Sequence, residues 1–100
     1  MKAECLLTTQ SLSAQVTITN PLGLHLRTSK EVVQAASQFT STIQAQNLTR
    51  TSPLVDVKSI LQVMQLQARA GHILLLQAEG PDAQIALDTL CRILQALGAA

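Results

Sequence analysis

The sequence predicts an α+β sandwich, on two changes of hydrophobic period and one long apolar run. Val16-Thr17-Ile18-Thr19 alternates apolar and polar residues, as a half-buried strand does. From Lys30 onward the period lengthens. Val32, Ala35, Ala36 and Phe39 fall at i, i+3, i+4 and i+7, which is a helix with one buried face. His72-Ile73-Leu74-Leu75-Leu76-Gln77-Ala78 is apolar over the length of a strand and belongs at the centre of a sheet.

The remaining elements follow from punctuation. Asn20-Pro21-Leu22-Gly23 carries turn chemistry between the first strand and the first helix, which puts His25 at or beside the helix N-cap. After that helix, Ser41 to Gln46 alternates again, with Ile43 and Ala45 on one face, and Asn47-Leu48-Thr49 turns the chain. A third strand around Leu54 to Val57 follows Pro53, which lacks a ladder donor, so this strand is irregular or at a sheet edge. Ser59 opens a short helix, and Ser59 with Gln62 has the form of a capping box. Gly80-Pro81 marks the start of the last helix, with Pro81 suited to its first turn. Ala83, Leu87, Leu90, Leu94 and Leu97 form its seam, too short for a coiled coil. The order is therefore strand, helix, strand, strand, helix, strand, helix.

Composition narrows the function. One hundred residues make one domain of modest stability. Hydrophobic residues make up 47% but only one is aromatic, so the core must be aliphatic. A net charge of +1, with a pI near 7.8, argues against the clustered Lys and Arg that nucleic-acid binding needs. Met1 to Leu12 holds no apolar run long enough for a signal peptide, and no stretch approaches the roughly 18 apolar residues of a membrane span. The expected location is the cytoplasm, without membrane attachment. Cys5 and Cys91 fit no metal spacing and are expected to be reduced thiols. With no nucleotide-binding loop, metal cluster or carboxylate pair placed for acid-base work, neither independent catalysis nor a cofactor nor a metal is expected.

His25 is the residue with chemistry to offer. The first amides of a helix lack internal partners and the backbone dipole is positive there, so an anion finds donors ready. Leu26 and Arg27 would supply those amides, and the planar fork of Arg27 suits phosphate oxygens. Imidazole, ordinarily titrating at about 6.5, offers a neutral nucleophilic nitrogen near neutral pH. Such a histidine can take up a phosphoryl group and later release it.

Gly23-Leu24-His25-Leu26-Arg27 resembles the active-site motif of the HPr family, the histidine-containing phosphocarriers of the bacterial phosphoenolpyruvate-dependent sugar phosphotransferase system. Asp56 to Leu66, with Lys58-Ser59-Ile60, resembles the family's second signature, and Ala70-Gly71-His72 through Gln77 to Ala83 resembles its last strand and the start of its last helix. The resemblance covers roughly Ser13 to Leu97, which leaves residues 1–12 as an N-terminal extension to a domain at 13–98. It implies an open-faced β-sandwich, with a four-stranded antiparallel sheet and three helices on one face. It also implies that His25 is the phosphoryl acceptor through its pros nitrogen, that Arg27 and the backbone amides of Leu26 and Arg27 stabilise the group, and that Leu26, Lys30, Ile60, Leu61 and Met64 dock partners. Those partners would be enzyme I and sugar-specific acceptors of the EIIA type, with the chain a monomer. Ser59 corresponds to a serine that an HPr kinase phosphorylates in some bacteria; its default role is the helix cap. The alternative is an HPr-like module serving a non-sugar branch, nitrogen-related or linked to a dihydroxyacetone kinase, or one binding partners without phosphotransfer.

Three departures from the family pattern stand out. Thr28 occupies the place where the family usually has proline, and its hydroxyl is expected to support the helix start and to offer the phosphoryl group another donor. Gln67 stands where glycine is common, so the short helix is expected to end under mild strain or in a different way. The hairpin around Arg50 is longer than the family's. His72 matches no motif and is expected to be structural or solvent-facing.

Overall fold

A computed structural model describes residues 10–21 and 23–99. Their elements are β1 (Gln10–Thr17), α1 (Leu26–Ala36), β2 (Thr42–Asn47), β3 (Val55–Asp56), α2 (Ile60–Met64), β4 (Ile73–Gly80) and α3 (Ala83–Ala99). The strands form one antiparallel sheet in the order β1-β4-β2-β3, and the helices pack over it, so the expected α+β architecture is the observed one. Cys5, Leu22 and the first nine residues of the expected extension lie outside the described residues.

β1 reaches further back than its clearest alternation. Leu12 and Ala14 continue the period of Val16 under half-buried conditions, while Ser11, Ser13 and Gln15 face solvent. Residues 10–12, assigned by sequence to the extension, are thus part of the strand and pair with Ala78 to Gly80.

β4 is central, as its apolar run suggests, but only alternate residues are sealed. Leu74, Leu76 and Ala78 are buried, whereas Ile73 is exposed and Leu75 half-buried. One face of the sheet carries helices and the other does not, so a run of four apolar residues cannot be buried on both sides. β3 is a two-residue edge strand beside β2, in keeping with Pro53.

The core is aliphatic. Val16, Ile18, Ile43 and Ala45 from the first half meet Leu74, Leu76, Ala83, Leu87, Leu90 and Leu94 from the second. Val32 and Ala36 bury the face of α1 that the i, i+4 spacing marks out. The side chain of Leu97 lies outside the described residues.

Two polar knots tie loops to this core. Asn47 is fully buried; its side chain donates to Leu66 O at 3.1 Å and meets His72 Nδ1 at 3.0 Å, and its Oδ1 accepts from Arg50 N. Arg69 N also donates to His72 Nδ1, at 3.2 Å, and a backbone amide can only donate. His72 Nδ1 is therefore the acceptor and its proton sits on Nε2. His72 is structural, joining β2, the end of α2 and the start of β4.

The second knot is Asp82. Pro81 precedes it outside the helix, because Asp82 O takes the first helical bond, from Ala86 N. The Asp82 carboxylate accepts from Thr40 N and Ser41 N at 2.9 Å each, and from the Ser41 hydroxyl. The Ser41 hydroxyl and the Thr40 amide hold its pKa down to about 2, from an ordinary 3.8.

Candidate functional site

The corner between β1 and α1 is built by close backbone approach. Gly23 adopts φ +68°, and its N–H donates to Asn20 O at 2.8 Å. A Cβ on Gly23 would stand 2.3 Å from Ala68 O, so only glycine lets this loop lie against the segment after α2. Leu24 N closes the contact by donating to Ala68 O at 2.9 Å, and the Leu24 side chain is buried.

His25 follows as the N-cap of α1, with φ −110° and ψ −174°. Its carbonyl accepts from Ser29 N at 2.8 Å, the first helical bond. Its ring is half-buried and faces the Thr28 amide in the arrangement of a capping box, without closing a side-chain cap hydrogen bond. The amides of Leu26 and Arg27 have no hydrogen-bond partner among the described residues. No acidic residue occupies the first turn of α1. Open donors and a positive helix end therefore lie at the His25 cap, with the exposed Arg27 two residues on and no competing carboxylate on that turn.

Thr28 behaves differently from expectation in one respect. It does support the helix start: its Oγ1 accepts from His25 N at 3.0 Å and donates to His25 O at 3.2 Å. A hydroxyl has one proton, and this one is spent on the His25 carbonyl. The hydroxyl is thus not the extra phosphoryl donor that the sequence suggested.

α2 packs beside α1 and completes the surface. Leu26 is 64% exposed and Leu61 75% exposed, while Lys30 is exposed and Ile60 and Met64 are half-buried around the buried anchor Val63. Leu26 and Leu61 are thus large apolar side chains left in water, and the helix that carries Leu26 also carries the exposed cations Arg27 and Lys30. The five residues singled out for docking lie on these two packed helices, Leu26 and Lys30 on α1 and Ile60, Leu61 and Met64 on α2.

Ser59 is the N-cap of α2, with Oγ accepting from Gln62 N at 3.4 Å. Only half of the expected capping box forms. Gln62 Oε1 accepts from Asp56 N at 2.8 Å, because Ser59 N already donates to Asp56 O. At the other end of α2, Gln67 adopts φ +48°, so the expected strain is present: a side chain in the left-handed region costs about 1 kcal/mol. Its placement carries the chain into Ala68, the residue against which Gly23 packs.

One neighbour went unseen in the sequence. The Arg69 Cα lies 2.8 Å from where a Gly23 Cβ would stand, so an exposed arginine flanks the loop that carries His25. No motif contains it and 44 positions separate it from His25, so no local signal could have found it. Cys91, by contrast, is half-buried on α3 and free, with burial and the nearby Asp88 pushing its thiol pKa up, which makes it a poor nucleophile.

Similar proteins place this geometry. The family model described as the PTS HPr component phosphorylation site matches residues 12–96. The chain belongs to the HPr family. It is 40% identical over 83 residues to the phosphocarrier protein HPr of Cupriavidus necator, covering 83% of this chain and 90% of that one. It is 43% identical over 86 residues to a multiphosphoryl transfer protein of Haemophilus influenzae, covering 82% of this chain but 17% of that protein. The chain thus spans nearly all of one relative and about a sixth of the other. A crystal structure of HPr from Thermoanaerobacter tengcongensis superposes with a TM-score of 0.80 at 30% identity, covering 89% of this chain and 97% of that one. HPr proteins are phosphocarriers, which hold a phosphoryl group in passage and work with phosphotransfer partners. Among the described residues, no helix is long and apolar enough to cross a membrane.

Proposed function

We propose that His25 accepts a phosphoryl group from phosphorylated enzyme I and passes it to a sugar-specific acceptor of the EIIA type, in the cytoplasm and as a monomer. The observation that supports this reading most directly is the N-cap position of His25, with the unpartnered amides of Leu26 and Arg27 beside its ring. In the transfer step the Nδ1 lone pair forms the N–P bond while the bond from phosphorus to the donor breaks, its electron pair leaving with the donor atom. The Nε2 proton stays in place, so the new negative charge lies on the phosphoryl oxygens. In this reading the amides and the Arg27 guanidinium hold that charge. The chain supplies the covalent intermediate and its partners supply turnover.

The exposed Leu26 and Leu61, with Lys30 and the half-buried Ile60 and Met64, form the docking patch in this reading. An apolar centre with a cationic border suits partners that must be released in turn. Ser59 lies at the edge of that patch. Phosphorylation there by an HPr kinase would place two negative charges beside it and weaken docking of acidic partners.

Incubation with enzyme I and phosphoenolpyruvate, followed by intact mass, tests the reading. One acid-labile phosphoryl group is expected on the wild-type chain and none on His25→Ala. A wild-type chain that stays unmodified, or a His25→Ala chain that gains the group, overturns it.

A further inference from the structure

We propose that Thr28 is a positioning residue for phosphoryl transfer, in which its hydroxyl locks the backbone of His25 and its amide becomes a third donor to the transferred group. This rests on His25 being the acceptor, as proposed above.

The hydroxyl carries the first half. Thr28 Oγ1 touches both polar backbone atoms of His25, accepting from its N–H at 3.0 Å and donating to its carbonyl at 3.2 Å. Thr28 is 4% exposed, so water competes little for either contact. Its β-branched side chain has few rotamers to lose, which makes the clamp stiff. The carbonyl of His25 is also held by Ser29 N. Together these bonds fix the Cα–Cβ direction of His25, and with it the place of the ring relative to Leu26 and Arg27. Small misplacements of a reacting atom are costly in rate.

The amide carries the second half. Thr28 is the third residue of α1, so its N–H has no carbonyl of its own helix to bond. It is turned toward the His25 side chain, yet no cap hydrogen bond closes. Nδ1 stands as many bonds from Cα as the side-chain oxygen of an N-cap aspartate, so it is the ring atom that an N-cap histidine presents to these amides. A phosphoryl group on Nδ1 puts an oxygen into the gap that the free ring leaves open. The Thr28 amide then joins those of Leu26 and Arg27 on one anion. A proline at this position would have neither the hydroxyl nor the N–H.

Wild-type protein and the Thr28→Ser, Thr28→Val and Thr28→Pro variants separate the two roles, with thermal unfolding used to confirm that each is folded. Val keeps the amide and loses the hydroxyl; Pro loses both, at a position where no helical bond depends on the N–H. With enzyme I and phosphoenolpyruvate, Thr28→Val is expected to be phosphorylated about fivefold more slowly than wild type, the worth of one hydrogen bond. Thr28→Ser should recover to within about twofold of wild type on the same basis. The phosphorylated Thr28→Pro protein should hydrolyse faster than phosphorylated Thr28→Val, and the Thr28 amide proton of wild type should move downfield on phosphorylation. Wild-type kinetics in Thr28→Val overturn the positioning role. Equal lifetimes for the phosphorylated Val and Pro proteins, or an amide resonance that does not move, overturn the donor role. If the wild-type chain takes up no phosphoryl group at all, it is the phosphocarrier reading that has failed.

Discussion

The starts of α1 and α3 use opposite arrangements of the same backbone chemistry. Ahead of α3, Asp82 brings a carboxylate whose oxygens are occupied by the amides and hydroxyls of Thr40 and Ser41, so the loop before β2 is bolted to the last helix. Ahead of α1 there is a histidine, with no acid in the first turn and two amides without partners among the described residues. A carboxylate at the start of α1 would stabilise that helix and would also fill the place of an incoming anion. An unfilled helix start in a fold that is otherwise well tied leaves room for an anion, which is what the proposed role of His25 requires.

Arg27→Ala tests the open end and should show the largest effect. Removal of the guanidinium is expected to slow phosphorylation about 10- to 100-fold. Stability should change by less than about 0.5 kcal/mol, because Arg27 is exposed. An unchanged phosphorylation rate would mean that the amides alone hold the charge.

Asp82→Asn tests the closed end. The folded carboxyl has a pKa of about 2 against an ordinary 3.8, so its contribution is complete above the unfolded value and is lost as pH falls through the folded one. The variant is expected to melt at a lower temperature than wild type at neutral pH, with the gap closing as pH drops from about 4 toward 2. Its phosphorylation rate should match wild type. A melting gap that persists unchanged to the acid end would show that the carboxylate charge is not what ties the loop.

Ser29→Ala sharpens the comparison by the smallest step. The Ser29 hydroxyl is fully buried in the first turns of α1 and has no hydrogen-bond partner among the described residues. Its removal is expected to raise stability by about 1 kcal/mol in denaturant unfolding. A loss of stability would reveal a partner that the static structure does not contain.

Local pattern put the candidate residues on their elements. The turn before His25 and the helical period after it set His25 at a helix start, and Ser59 was readable as the cap of α2, while Gln67 stood out only against the glycine usual in the family. What local pattern could not reach were partners distant in sequence. Gln62 looked like the return half of a capping box, but Asp56 N, exposed across the turn, offered the better-placed donor. Thr28 looked like a spare phosphoryl donor until its single proton was found on His25 O. The Asn47 and His72 pair, 25 residues apart, and the arginine beside Gly23 depend on loops meeting in space.

By itself, the order of apolar and polar residues determined the seven elements, the buried faces of α1 and α3 and the histidine at the mouth of α1, because those features depend on neighbours within a few residues. Tertiary structure alone decided which strands flank the central β4, that Asp82 serves Thr40 and Ser41, and that Arg69 flanks the His25 loop. These are contacts across 40 or more residues for Asp82 and Arg69, and their partners are selected by which backbones can approach closely once the core has formed.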